Sequence, residues 1–166
     1  MWSKIQQNGQ IIFTVTAATT AALALAGCAA GQGAPEGWRY LKAGEVAVAH
    51  PKNWHEVRSG AELRGPAGRI DAGLTVSARA GSAGSPARAD AVPASARSET
   101  LDFDGRAGRV FSFAQPEPGP TGRPASHVEV RFRDTRDRTV IVRAWAADGA
   151  ADPLVLREIV NSIEFS

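Results

Sequence analysis

The sequence predicts an α+β domain: a mostly antiparallel β-sheet flanked by helices, with a C-terminal amphipathic helix packed on the sheet. Three observations predict it. Apolar and polar residues alternate from Ile70 to Arg79 and again from His127 to Arg133, the period of a strand with one buried face. Turn-forming pairs such as Asp104-Gly105 separate runs of this kind. Near the end the period changes, with Leu156, Ile159, Val160 and Ile163 at i, i+3, i+4 and i+7, which makes one apolar stripe on a helix.

Residues 1–27 read as an export signal. Lys4 and the amino terminus supply positive charge, residues 11–26 form an uncharged apolar and hydroxyl-bearing run, and Leu25-Ala26-Gly27-Cys28 resembles a bacterial lipobox. The thiol of Cys28 would take a diacylglyceryl group, and the small residues Ala26 and Gly27 would give a peptidase access to the bond before it. An uncleaved transmembrane helix fits less well. It needs roughly 20 predominantly apolar residues, whereas this run contains Thr14, Thr16, Thr19 and Thr20. Cys28 is the only cysteine, so no internal disulfide competes for it. Residues 28–37 are small, polar or Pro and read as a flexible tether. Residues 38–166 form a single domain, long enough to bury a substantial core.

Charge excludes one class of partner. There are 19 Lys and Arg against 17 Asp and Glu; Lys4 is the only charged side chain before Cys28, so the mature balance is 18 against 17. The arginines are scattered among acids, unlike the clustered cations that neutralise phosphates. Nucleic acid is therefore not an expected partner.

Along the domain, residues 38–41 and 45–50 read as two strands around a turn at 42–44, with Pro51 ending the second. Trp54 and Val57 fall in a short connecting segment. Residues 81–98 are rich in Ala, Ser, Gly, Pro and Arg, and residues 86–97 fit either a helix interrupted by Pro93 or a loop. Residues 99–104 and 107–115 form a hairpin about Asp104-Gly105, and residues 115–124 a Pro/Gly loop. The clearest hairpin pairs a strand carrying Val128, Val130 and Phe132 with residues 139–146, across a turn at 134–137. These two strands are expected at the centre of the sheet. Asp152 and Pro153 then cap and start the terminal helix.

Candidate chemistry is sparse. His50 and His55 could approach one another around Pro51, but neither helical spacing nor a third ligand accompanies them, so no metal is expected. His127 lies on the polar side of its strand and is expected to be exposed. Asp102-Phe103-Asp104-Gly105 has the start of a calcium loop without its later ligands and reads as a turn. No nucleophile elbow, phosphate loop or dinucleotide motif appears, so neither catalytic residues nor a cofactor are expected. Trp38, Trp54 and Trp145 fit either the lining of a ligand groove or core packing. Arg131, Arg133, Arg138 and Arg143, interleaved with Glu129, Asp134 and Asp137, read as a solvated, locally paired face.

Three segments in order carry a resemblance: Gly44-Glu45-Val46-Ala47-Val48 with His50-Pro51-Lys52-Asn53-Trp54, then Gly105-Arg106-Ala107-Gly108-Arg109, then Ile159-Val160-Asn161-Ser162-Ile163-Glu164-Phe165. Together they resemble the PsbP-like and Mog-like fold of small bacterial lipoproteins, including LpqN-type actinobacterial proteins, over residues 38–165. The resemblance implies a binding or accessory module without a shared catalytic centre, and it transfers no functional residue. The expected protein is thus anchored at the extracytoplasmic face of the cell membrane by lipid on Cys28. Its expected partner is an unidentified envelope protein or small ligand; the alternative is an exported carrier or enzyme whose site is assembled from sequence-distant residues.

Overall fold

The structure, a computed structural model, describes residues 33–79, 91–118 and 122–166. Strands β1 (Trp38–Ala43) and β2 (Val46–Pro51) make the first hairpin. Its turn is Gly44-Glu45, one step later than the expected 42–44, because β1 runs on to pair Ala43 with Val46. Gly44 has φ +67°, a conformation that favours glycine at the first turn position of a two-residue hairpin. Strands β3 (His55–Val57), β4 (Gly60–Arg64) and β5 (Ile70–Arg79) form a meander, with a single 3-10 turn at Pro66–Gly68. The expected connecting segment around Trp54 and Val57 therefore contains part of an edge strand.

A second meander follows: β6 (Arg97–Phe103), β7 (Arg106–Pro116), β8 (Pro124–Arg133) and β9 (Thr139–Ala147). Asp104 and Gly105, both at positive φ, close the β6–β7 turn as their sequence suggests. Antiparallel pairing of β5 with β9 joins the meanders into a seven-stranded sheet ordered β3-β4-β5-β9-β8-β7-β6. β9 is its middle strand and β8 lies beside it, in agreement with the expected central hairpin.

Helix α1 (Pro153–Asn161) begins where predicted: Asp152 Oδ1 accepts from the backbone N–H of Leu154 at 2.9 Å, and Pro153 occupies the first turn. Leu156, Ile159 and Val160 are buried, as is Ile163 just beyond the helix. Each such side chain contributes about 1.5–3 kcal/mol through removal from water. Strand β10 (Glu164–Phe165) then pairs with β2, completing a three-stranded sheet ordered β1-β2-β10. Ser162 fastens this corner. Its Oγ accepts from Ala49 N–H at 2.9 Å and donates to Ile159 O at 2.8 Å, serving a β2 donor that the two-residue β10 does not reach.

The core lies between one face of the large sheet, α1 and the small sheet, with Val46, Val48, Leu74, Val130, Val142 and Ile159 among its members. The expectation of flanking helices needs correction. The described residues contain one α-helix, and the other element over the core is the small sheet, whose short strands cover apolar area that a second helix was expected to cover. Residues 91–96 are not helical and β6 starts at Arg97; the rest of the 86–97 segment lies outside the described residues. Among the described residues no helix is long and apolar enough to cross a membrane.

Candidate functional site

A cleft of about 330 Å³ opens at the seam between the two sheets. The β1–β2 turn supplies one wall, β5 and β9 the floor, and the β3–β4 and β8–β9 turns the remaining sides. Its deepest lining is apolar: Val46, Val76 and Val140 are all buried. Ser59 and Ser77 add hydroxyl groups.

Two carboxylates and three cations also line it. Glu45 accepts from the hydroxyl and the N–H of Thr135, the latter at 3.3 Å, and from Arg106 at 3.2 Å. The Thr135 hydroxyl, with help from its N–H and Arg106 and against the effect of desolvation, holds the Glu45 carboxyl below its ordinary range. Desolvation pushes the Asp134 carboxyl up, but the Arg138 N–H at 2.8 Å, the Arg138 guanidinium at 2.7 Å and the Arg136 N–H at 3.0 Å outweigh it. Both acids are therefore ionised at neutral pH, with bonds already made inside the fold. Lys42 and Arg58 differ. Both are exposed, both line the cleft, and neither has a hydrogen-bond or ion-pair partner among the described residues.

The sheet face turned away from α1 carries the second concentration of polar and aromatic groups. Register sets Gly73, Trp145, His127 and Phe113 side by side across β5, β9, β8 and β7. Phe113 and His127 stack at 5.1 Å between centroids, and His127 and Trp145 at 6.3 Å. A Cβ on Gly73 would lie 2.5 Å from Trp145 Nε1, so glycine gives the indole room to lie against β5. One register step away, Glu129 is fully buried and accepts from Arg131 Nε at 2.5 Å and Arg143 Nε at 2.8 Å. Arg109 and Arg131 both lie over the Phe111 ring.

These placements revise several expectations. His127 is buried, not exposed, because Phe113 and Trp145 sandwich it; burial, opposed by its bond to Gln115 O, holds its pKa below the ordinary imidazole value. The arginine face is locally paired as expected, with Arg133 on Asp137 and Arg138 on Asp134, but its central acid Glu129 is buried rather than solvated. The tryptophans do not share a groove: Trp38 and Trp54 belong to the main core, Trp145 to a separate cluster with Ala125 and Ala147. His50 is buried with Nε2 3.8 Å from Glu56, whereas His55 is exposed on β3. Among the described residues no group of three or more His, Cys, Asp or Glu could hold a metal ion. Asp102 serves the turn, its Oδ1 accepting from Gly105 N–H at 2.8 Å. Cys28 and the lipobox residues Leu25, Ala26 and Gly27 lie outside the described residues.

Sequence reasoning did not single out Lys42, Arg58, Glu45 or Asp134 as one site. Lys42 is in β1 of the small sheet, Arg58 in the β3–β4 turn and Asp134 far along the chain, so only tertiary packing places them around one cleft. No protein-family model matches the chain, and no curated protein matches it. A crystal structure of a protein from Bacteroides thetaiotaomicron is similar at 13% identity, over 73% of this chain and 45% of that one, with a TM-score of 0.43. This chain thus spans less than half the length of that protein.

Proposed function

We propose that this is a lipid-anchored protein of the bacterial cell envelope, exposed on the extracytoplasmic face of the membrane, whose β domain acts as a non-catalytic binding or accessory module. The observation that carries the reading is the sequence Leu25-Ala26-Gly27-Cys28, placed directly after an apolar run and followed by a Gly-, Ala- and Pro-bearing tether. Two acyl chains on one cysteine give stable membrane attachment where a single chain gives reversible binding. The anchor would confine the domain to the membrane surface and raise its effective concentration toward neighbouring partners. Kinship with PsbP-like and Mog-like lipoproteins is part of this proposal and rests on the three sequence segments alone.

Intact-mass measurement of protein extracted from membranes tests the anchor. The expected product lacks residues 1–27 and carries diacylglycerol on Cys28, and Cys28→Ala abolishes both changes. Retention of the leader on the wild-type protein would sink the proposal.

A second reading, an exported small-ligand carrier, draws its support from the cleft between the sheets. Membrane crosslinking followed by pull-down separates the two. A reproducible protein partner favours the accessory module, and its absence together with small-molecule binding favours the carrier.

A further inference from the structure

We propose that the cleft between the sheets binds a small organic anion, a carboxylate or phosphate monoester joined to a short apolar chain. This deepens the binding-module reading by naming a ligand class, and it does not depend on the anchor. Loss of lipidation leaves the cleft intact, and an empty cleft leaves the anchor and a protein partner standing.

The charge pattern selects an anion. Of the ionised groups lining the cleft, Glu45 is bonded to Thr135 and Arg106, and Asp134 to Arg138 and two backbone N–H groups. Those acids are matched within the fold. Lys42 of β1 and Arg58 of the β3–β4 turn also line the cleft, without partners among the described residues. An oxyanion within reach of both would gain charge-assisted interactions without displacing an existing ion pair, and the guanidinium of Arg58 can engage two oxygens at once.

The floor selects the rest of the ligand. Leu41, Ala43 and Ala78 present the accessible aliphatic surface of the lining, backed by the buried Val46, Val76 and Val140. An alkyl chain entering there leaves water, worth roughly a fourfold gain in affinity per fully buried methylene. At about 330 Å³ the cleft is near the lower end of ligand-pocket sizes, roughly 300–1,000 Å³. A short chain fits that volume; a pair of long acyl chains does not.

Isothermal titration of the full mature protein in non-ionic detergent, using hexanoate, hexyl phosphate, inorganic phosphate and hexylammonium, tests the proposal. Hexanoate or hexyl phosphate is expected to bind at least tenfold more tightly than inorganic phosphate, and hexylammonium not to bind. A preference for hexyl phosphate assigns a phosphorylated ligand, and a preference for hexanoate a carboxylate. The double variant Lys42→Ala/Arg58→Ala should weaken binding at least tenfold with unchanged circular dichroism, since both residues are exposed. Ala78→Trp, which adds an indole to the lining without touching a charge, should abolish binding in the same way. Absence of binding by both hexyl probes, equal binding of hexylammonium, equal binding of inorganic phosphate, or unchanged affinity in the double variant would each overturn the inference.

Discussion

Val130 and Glu129 are neighbours in β8 and both are 0% exposed, yet the two sheet faces to which they belong are buried by different means. On the inner face Val130 packs among Leu74, Val110 and Val142 under α1, and apolar surface leaves water with no pairing to satisfy. On the outer face Glu129 is enclosed by the arginines that neutralise it, and the row beside it by stacked rings. The first arrangement tolerates exchange of one aliphatic group for another of similar volume. The second depends on identity, because a buried acid without its cations leaves a bare charge. Alternation along a strand therefore reports which face a side chain occupies, and not whether water reaches it.

The inner face should show the largest single loss. Phe103 is fully buried at the end of β6, and Phe103→Ala is expected to cost about 4 kcal/mol in chemical denaturation, through lost burial and the cavity left behind. Glu129→Ala should come next, destabilising by about 3 kcal/mol, because Arg131 and Arg143 remain close together without their shared carboxylate. Glu129→Gln, which retains acceptor oxygen and shape, should cost less than Glu129→Ala. Equal losses for the two would mean that the charge alone, and not the shape of the side chain, holds the outer face.

Gly73→Ala tests the aromatic row. The new methyl group meets the Trp145 indole, so a loss of about 2 kcal/mol is expected from overpacking, with a changed near-ultraviolet circular dichroism signal from Trp145. An unchanged signal would show that the indole does not rest on β5.

The smallest effect is a pH dependence. Burial sets the His127 pKa below its ordinary value of 6.5, so the unfolded chain binds the proton more readily than the folded one. Stability should accordingly fall as pH drops through about 6.5, and His127→Phe should flatten that slope. Equilibrium denaturation between pH 7.5 and 5.5 measures the difference. In that range Glu45, Asp71 and Asp134, all with lowered carboxyl pKa values, stay ionised, which leaves their contributions to lower pH.

The parts of the fold legible in the sequence were those with local signals. Asp104-Gly105 needs only its own backbone preferences, and Asp152-Pro153 caps a helix whose stripe is written within a few turns. β3 and β4 were hidden because a three-residue strand and a five-residue strand begun by glycine offer too little alternation to recognise. The burial of His127 was hidden for another reason. Its enclosing rings come from β7 and β9, and no property of β8 alone reveals which side chains will stand opposite. The same holds for the cleft, whose lining residues Lys42 and Arg58 come from segments that only tertiary packing brings to one place. The reading of Cys28 rests on local sequence alone, and that residue lies outside the described residues.

The pairing of β10 with β2 bears on the order in which the domain can be made. Phe165 sits opposite Val46, packs edge-on against Phe132 at 4.8 Å and lies under Arg106 at 4.3 Å. A nascent chain released only as far as Asn161 holds a β1–β2 hairpin with one edge unfilled and an Ala49 N–H without the Ser162 hydroxyl. Contacts of such long sequence separation form late and slow folding. Closure of this corner therefore waits for β10, and until then the domain keeps that edge open. Its open β2 edge is meanwhile the place where a chaperone would be most needed.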